Sequence, residues 1–311
     1  MKQFNNKIII GIDHGYGNIK TANHCFPNGI DSSDINPILT KDILCYNGQE
    51  YQICQGHKPF LADKQDDDDY YILTLAAIAM ELDDLNLMEA EIIIAAGLPL
   101  KWAKNKSEAF RAYLSRNEEV CFSFRNITYR VRISDVLVYP QGFAAVAPFK
   151  SKLEGLNMIA DIGNGTLSSF FIADGKVLKD EMYMDLFGTQ QCTQKIRDAF
   201  FAQTGRSIKD YTIESILRTG KANIPEKDLE LIRSVAEKYV KDIFDMLYSH
   251  GYDENTMLLY IIGGGGCLVR HFYQGSLDRI RIIDDICASA KGYEYIAEIK
   301  LRAAMKHEGD V

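Results

Sequence analysis

Two stretches of the chain share one pattern of apolar and polar positions: a short apolar run, an aspartate, a glycine-containing turn, and a second run in strand register. In the first stretch the apolar run 7–12 precedes Asp13, and in the second the run 158–160 precedes Asp161. Such runs predict buried strands, and the turns after them predict hairpins. About half of the 311 residues separate the two aspartates. This spacing indicates two related halves.

Both turns contain the residue types expected at a site for an anion beside a metal ion. The glycines of 15–18 and 163–166 lack a Cβ, which lets backbone N–H groups turn towards an anion. Thr166 adds a hydroxyl donor, and each preceding aspartate can hold a hydrated cation next to that anion. Glycine turns are common in hairpins for structural reasons alone, so one copy would carry little weight. The repetition favours two phosphate-binding hairpins that face a shared cleft.

The remaining pattern predicts an α/β protein. Periods near 3.6 residues predict helices, whereas alternation and short apolar runs predict strands. The predicted helices are 70–85, 107–116, 142–149, 189–204, 213–218, 224–249 and 287–305, and the predicted strands include 42–46, 50–54, 91–96, 120–124, 128–133, 135–139 and 257–262. Ser107 is expected to cap the second helix. Pro140 is expected to end the strand 135–139.

Three further features are candidates for ligand contact. Gln141 follows a strand end, where α/β proteins bind ligands; alone it would more often be a helix cap, but it lies between the two hairpins. The glycines 263–266 follow a buried strand, and their entropic cost favours close approach to a flat or anionic ligand over a flexible linker. Glu214 and Arg218 are i, i+4 neighbours, and a surface ion pair explains them as well as a ligand contact does.

Composition excludes several classes of protein. The chain is 47% hydrophobic and 25% charged, as expected of a globular protein, and its net charge of -8 disfavours a broad nucleic-acid or acidic-membrane surface. The seven cysteines include no CxxC pair, so neither a disulfide framework nor a zinc site is expected. No apolar run reaches the roughly 18 residues of a membrane span. These features predict a soluble, cytoplasmic protein that binds neither membrane nor nucleic acid directly, and the acidic run 66–69 is expected to be a solvated loop.

Five segments resemble, in order, the nucleotide-site motifs of the actin-like ATPase superfamily. They are 13–20 (DHGYGNIK), 138–146 (VYPQGFAAV), 161–168 (DIGNGTLS), 261–266 (IIGGGG) and 288–298 (ASAKGYEYIAE). They are similar to the phosphate 1, connect 1, phosphate 2, adenosine and connect 2 motifs. The segment 92–102 (IIIAAGLPLKW), the segment 213–218 (IESILR) and the short chain look most like the ParM/StbA plasmid-segregation branch.

The resemblance implies an actin-like fold of two domains around a nucleotide cleft, each with an RNase-H-like mixed sheet of five strands. Domain I would comprise residues 1–150, with 288–311 returning to it, and domain II residues 151–287.

The resemblance also implies roles for individual residues. ATP with Mg²⁺ is the expected ligand, and GTP remains open. Asp13 and Asp161 would hold the Mg²⁺ through water and act with Gln141, which would orient the attacking water. The phosphates would be bound by Gly15, Tyr16, Gly17, Asn18 and Lys20 on one side, and by Gly163, Asn164, Gly165 and Thr166 on the other. Glu214 and Arg218 would contact ribose and base, and Gly263, Gly264 and Gly265 would belong to the adenosine site.

Three residues depart from the family pattern. Gln141 stands where ParM-like proteins often have glutamate, and since glutamine is not a strong base, hydrolysis would depend on positioning and on the metal ion. Ser168 stands where aspartate is common, which removes a carboxylate from the metal site. Asn164 replaces a more usual glycine, so the turn is expected to be less permissive.

The function implied by the resemblance is that of an ATPase which polymerises with ATP and Mg²⁺ into a homopolymeric filament. The filament would segregate plasmid DNA through a small DNA-binding adaptor at a centromere-like site. Two alternatives are a cytoskeletal or cell-division scaffold ATPase and a small-molecule kinase of the same fold. A kinase should place a catalytic aspartate near domain I and usually needs a longer chain. Membrane-tethered division actins usually carry a terminal amphipathic helix, which residues 306–311 (KHEGDV) do not resemble.

Overall fold

The computed structural model describes residues 2–31, 41–54, 56 and 68–308. The chain forms two compact units. Unit 1 is Met1–Phe149 together with Cys287–Val311, and unit 2 is Lys150–Ile286. Each unit combines a β-sheet with helices, so the predicted α/β class is confirmed.

Unit 1 contains one sheet, which has ten strands within the described residues. The strands are β1 (Lys2–Phe4), β2 (Lys7–His14), β3 (Asn18–Lys20), β4 (Cys25–Pro27), β5 (Ile30–Asp31), β6 (Ile43–Tyr46), β7 (Gln49–Ile53), β8 (Glu89–Leu98), β9 (Glu119–Phe124) and β10 (Ile127–Pro140). Their order is β4-β3-β2-β8-β10-β9-β6-β7-β5, with β1 paired to β2. The sheet exceeds the expected five strands because short hairpin strands extend it at both sides.

The helices of unit 1 are α1 (Asp69–Asp84), α2 (Leu100–Leu114), α3 (Phe143–Val146) and, near the end of the chain, α8 (Ala288–Glu308); a 3₁₀ helix over Ala147–Lys152 follows α3. Close approach of α8 to its neighbours depends on two glycines. A Cβ at Gly292 of α8 would overlap the backbone of Ala144 in α3, and a Cβ at Gly97 of β8 would overlap the Tyr293 ring. The two glycines thus fix α8 against α3 and the sheet.

The central strands of unit 1 bring two predicted site residues, Asp13 and Gln141, to one edge of the sheet. β2, β8 and β10 are parallel, with Ile12 beside Ala96 and Tyr139 beside Gly97. Their carboxyl ends therefore meet at the same edge, which is where open α/β sheets bind ligands. Gln141, just past β10, is tied to that edge because its backbone N–H donates to the Leu98 carbonyl at 2.8 Å.

Unit 2 is built on a mixed five-stranded sheet of order β13-β12-β11-β14-β15. Its strands are β11 (Leu156–Ile162), β12 (Leu167–Ala173), β13 (Lys176–Asp185), β14 (Leu258–Ile262) and β15 (Ile280–Ile282), and its helices are α4 (Thr189–Thr204), α5 (Asp210–Thr219), α6 (Glu226–Ser249) and α7 (Gly266–Phe272). β11, β12 and β13 form an antiparallel meander, and β14 joins β11 in parallel. α4 packs against α6, and α5 packs against α7.

Three predictions of secondary structure were wrong in detail. α2 begins at Leu100, directly after Pro99, and not at Ser107, because a proline before the first turn already suits a helix start. β10 is one strand with an irregularity between Ile133 and Asp135, where two strands were expected. The segment 142–149 is only a four-residue α-helix followed by a 3₁₀ helix. The acidic residues 66 and 67 lie outside the described residues.

Among the described residues, no helix is long and apolar enough to cross a membrane.

Candidate functional site

Asp13 lies near the end of β2, and its buried carboxylate contacts two predicted site residues. Gln141 Nε2 donates to its Oδ1 at 3.0 Å, and Lys20 Nζ donates to its Oδ2 at 3.4 Å. Lys20 faces Asp13 because the two residues are paired between β2 and β3. Three site residues from separate parts of the sequence therefore form one cluster in unit 1.

The loop after Asp13 is held by a residue that the sequence did not single out, Asn28. Its Nδ2 donates to the carbonyl oxygens of Gly15 at 3.4 Å and Tyr16 at 3.1 Å. Its backbone N–H donates to the carbonyl oxygen of Gly17 at 3.1 Å. Each carbonyl shares a peptide plane with the next N–H, which points the opposite way. The N–H groups of Tyr16, Gly17 and Asn18 are thereby turned away from Asn28.

In unit 2, Asp161 lies near the end of β11 and between two neighbouring strands. It is paired with Ser168 of β12 and with Ile262 of β14. Ser168 thus stands directly opposite Asp161, at the position where an acid was expected. The next residue after β14, Gly263, approaches so closely that a Cβ there would lie 2.8 Å from Asp161 Oδ1.

The loop after Asp161 is held by the start of α4. The backbone N–H groups of Thr189 and Gln190 donate to the carbonyls of Gly163 at 3.0 Å and Asn164 at 2.8 Å. Gln191 Nε2 completes the set by donating to the Gly165 carbonyl at 3.0 Å. All three loop carbonyls therefore face α4.

The N–H groups of the same loop consequently face away from α4. Within the described part of the chain, the N–H groups of Asn164, Gly165 and Thr166 have no acceptor. Consecutive N–H groups without a protein partner form a concave anion-binding surface. Asn164 also fits this turn, because its φ is not positive and its Oδ1 accepts a hydrogen bond from Thr189 Oγ1 at 3.2 Å.

The structure changes the explanation for the glycines. Neither Gly15 nor Gly163 has a positive φ, so backbone conformation does not require glycine there. A Cβ at Gly15 would lie 2.6 Å from the Asn18 carbonyl oxygen, whereas a Cβ at Gly163 would make only ordinary contacts. Gly188, which the sequence did not mark, must be small because a Cβ there would overlap the backbone of Asn164.

The glycine run after β14 is explained largely by the protein itself. Gly263 has a φ of +81°, and a Cβ there would lie 2.7 Å from the Ile162 carbonyl oxygen. A Cβ at Gly265 would overlap the Ile162 side chain, and one at Gly266 would lie 2.8 Å from Ile282 Cγ2. Only a Cβ at Gly264 would meet nothing within 4 Å. Gly264 is thus the member of the run that faces open space.

Glu214 and Arg218 are both exposed on α5 and form no ion pair with each other among the described residues. α5 packs against α7, and His271 Nε2 of α7 lies 3.1 Å from the Arg218 carbonyl oxygen. Glu214 and Arg218 therefore lie on α5, which is the neighbour of α7, the helix that follows the glycine run. The ion-pair explanation for Glu214 and Arg218 is not supported.

Two ionisable groups near Asp13 have perturbed pKa values. Cys25 is paired with Lys20 between β3 and β4, and partial burial raises the pKa of its thiol. Glu294 of α8 is buried, and burial raises the pKa of its carboxyl to about 7. Its Oε1 accepts a hydrogen bond from the Gly11 backbone N–H at 3.1 Å.

The residues present fit a hydrated divalent cation and an anion. Asp13 in unit 1 and Asp161 in unit 2 each offer carboxylate oxygens, the ligand type that Mg²⁺ prefers, and each oxygen can accept more than one hydrogen bond. The described residues contain no cluster of three His, Cys, Asp or Glu side chains that could hold a metal alone.

The sequence could not identify Asn28 and Gln191, because their contacts are tertiary. Two local signals were nevertheless present. Pro27-Asn28-Gly29 is a turn-forming triplet, and Gly188 is an N-cap whose backbone N–H is bound by Gln191 Oε1 at 2.9 Å.

Residues 11–143 match the family model described as the N-terminal domain of actin-like proteins. A search of the curated proteins found no match.

Several solved structures are similar to nearly the whole chain. The archaeal actin homologue Ta0583 has a TM-score of 0.75 at 17% identity over 94% of this chain and 99% of its own. ParM of Bacillus thuringiensis with AMPPNP has a TM-score of 0.69 at 14% identity over 95% and 99%. The Alp12 filament structure has a TM-score of 0.69 at 16% identity over 95% and 99%. The chain therefore has the actin-like fold that the resemblance implied, and residues 11–143 are similar to the N-terminal domain of actin-like proteins.

Proposed function

We propose that the chain is an actin-like ATPase that binds ATP with Mg²⁺ and polymerises into a filament. One observation carries the proposal: in each unit a strand ends near an aspartate, and the loop after it has its carbonyls turned back and its N–H groups turned outwards. Outward N–H groups beside a carboxylate suit the phosphates of a nucleotide with its metal ion.

The side chains of the cluster have complementary tasks under this proposal. Gln141 donates its Nε2–H to Asp13, which leaves its Oε1 to accept a hydrogen bond from water and orient it. Lys20, adjacent to Asp13, supplies positive charge for phosphate oxygens. Mg²⁺, held through water by Asp13 and Asp161, would neutralise charge that develops on the phosphates. Hydrolysis then depends on positioning, which is consistent with a slow ATPase.

The remaining roles extend the same proposal. Glu214 and Arg218 contact the ribose and base, and Gly264 provides the open surface beneath the adenosine, with ATP preferred and GTP the alternative. The two units correspond to actin-like domains I and II. A relative of this fold is known as a filament structure, and others are solved with ADP or AMPPNP. These likenesses support self-association and nucleotide binding.

We assign the cargo by the ParM resemblance. The filament moves plasmid DNA through a small DNA-binding adaptor at a centromere-like site, since the net charge of -8 disfavours direct DNA binding. The chain acts in the cytoplasm.

Two variants test the ATPase assignment. Asp161→Ala should abolish Mg²⁺-dependent ATP hydrolysis, and Gln141→Ala should slow it about 100-fold, because a water that is no longer oriented reacts less often. Phosphate release with Mg²⁺-ATP measures both effects. Asp180→Ala and Gln194→Ala, at exposed positions on β13 and α4, are the matched controls. Normal turnover in both site variants would overturn the assignment.

A further inference from the structure

We propose that Asn28 and Gln191 are positioning residues that set the affinity for the nucleotide phosphates without touching them. The proposal rests on the function proposed above. Each side chain binds loop carbonyls from behind, so that the adjoining N–H groups face the phosphates. The two residues are unrelated in sequence and lie in different units, yet they perform the same task on equivalent loops.

The contacts of Asn28 are directed at the orientation of the loop. One residue, only 1% exposed, supplies donors to the carbonyls of three consecutive residues, 15–17. Gly15 can adopt many backbone conformations, so the loop has no strong local preference that would fix its peptide planes. Without the Nδ2 donor, the planes after Gly15 and Tyr16 can rotate. A rotated plane would present a carbonyl dipole to a phosphate, which is repulsive.

Gln191 makes the corresponding contact in unit 2 and also fixes its own helix start. Its Nε2 donates to the Gly165 carbonyl, and its Oε1 accepts from the Gly188 N–H. The Gly188 carbonyl in turn accepts a hydrogen bond from Tyr239 on α6 at 2.7 Å. The peptide plane between Gly165 and Thr166 is therefore tied to the helical layer of unit 2.

Another buried asparagine provides a control with the same chemistry. Asn157 is 2% exposed, and its Nδ2 donates to the carbonyls of Glu154 at 3.0 Å and Gly155 at 3.3 Å. It lies at the start of β11, whereas Asp161 and the phosphate loop lie at the other end of that strand. If Asn28 only stabilises the fold, a substitution at Asn157 should have the same effects as one at Asn28. If Asn28 positions the phosphate loop, only the substitution at Asn28 should weaken phosphate binding.

The test compares Asn28→Leu with Asn157→Leu, because leucine has a similar shape and no donor. Affinity for a fluorescent Mg²⁺-ATP analogue, steady-state KM and kcat, and thermal unfolding are measured on the full chain. Asn28→Leu should weaken binding and raise KM about tenfold or more, while kcat at saturation falls less than about threefold, since the loss falls on ground-state binding. Asn157→Leu should bind as the wild type does.

A second pair of variants keeps the proposal testable if Asn28→Leu fails to fold. Gln191→Glu retains the acceptor for Gly188 but loses the donor to Gly165, and Gln194→Glu adds the same charge one turn along α4. Only Gln191→Glu should lose affinity.

Unchanged affinity in Asn28→Leu or Gln191→Glu would overturn the inference, as would equal losses in Asn28→Leu and Asn157→Leu. A wild-type chain that binds no nucleotide would instead overturn the function on which the inference rests.

Discussion

Glu294 is a carboxyl group buried beneath β2, and the stability of unit 1 should depend on its charge. Burial raises its pKa from 4.5 to about 7 in the folded chain. Because the pKa is higher in the folded chain, the contribution of Glu294 to the free energy of unfolding is fully present below pH 4.5 and is lost as the pH rises through 7. An ionised, buried Glu294 therefore destabilises the fold at pH 8.

Glu294→Gln should remove this dependence, because glutamine stays neutral and keeps an oxygen to accept the Gly11 N–H. Relative to the wild type, the variant should gain up to about 3 kcal/mol of unfolding free energy between pH 5 and pH 8. Urea denaturation followed by the fluorescence of Trp102, the single tryptophan and a residue of unit 1, measures it.

Glu298→Gln is the control for this experiment. Hydrogen bonds from Lys2 and Arg302 lower the pKa of Glu298, so the group is ionised at both pH values. Its variant should differ from the wild type by the same amount at pH 5 and pH 8. An equal pH dependence in Glu294→Gln and the wild type would contradict the assignment of the charged group.

Residues with local signatures were predictable from the sequence, and residues with purely tertiary roles were not. The sequence singled out Asp13 and Asp161 because each follows an apolar run, and Gln141 because it follows a strand; their roles at a nucleotide site stay predictions. The contacts of Asn28 with 15–17 and of Gln191 with Gly165 depend on how distant segments meet. The glycine run was predicted as a ligand contact, but only Gly264 faces open space; Gly263 and Gly265 are small because they approach the end of β11.

At the scale of elements, α8 and α3 are held together by the absence of a side chain at Gly292. Alanine normally stabilises a helix by about 1 kcal/mol relative to glycine. At Gly292 a Cβ would overlap the Ala144 backbone, which cannot move without moving α3. Gly292→Ala should therefore destabilise unit 1 by about 2 kcal/mol, within the range found for overpacked sites.

Urea denaturation of Gly292→Ala, followed by Trp102 fluorescence, checks the sign. Gly48→Ala is a matched strain control, because Gly48 has a φ of +78° and open space around it; it should lose only the cost of the turn conformation, about 1 kcal/mol. A gain in stability for Gly292→Ala would show that α8 can shift away from α3.

Strongly periodic elements were predicted well, and their boundaries less well. The helix 189–204 and the strands 42–46 and 50–54, which the structure shows as the antiparallel pair β6 and β7, were confirmed, because periodicity and alternation are local signals. The predicted start of α2 was wrong. Serine is a residue type that often caps helices, which favoured Ser107, but the helix begins at Leu100, directly after Pro99. The joining of 128–133 and 135–139 into β10 depends on pairing with β8, which the sequence does not display.

The two units of the molecule differ in size, but each contains a strand that ends near an aspartate and is followed by a loop whose N–H groups face outwards. Unit 2 has the five strands expected from the family resemblance, while unit 1 gains hairpin strands that lack a recognisable motif. The fold class could be predicted because five motifs occur in order. Surfaces for self-association have no such motif, since any exposed patch of a single chain can serve, and the sequence did not mark them.

Nucleotide binding should drive self-association of this chain. Sedimentation and electron microscopy of the purified chain, with Mg²⁺-AMPPNP, with Mg²⁺-ADP and without nucleotide, measure this. Filaments should form with Mg²⁺-AMPPNP, and Gln141→Ala should form them with Mg²⁺-ATP and keep them longer than the wild type, because hydrolysis is slowed. A chain that binds Mg²⁺-AMPPNP but stays monomeric over a wide concentration range would contradict the claim.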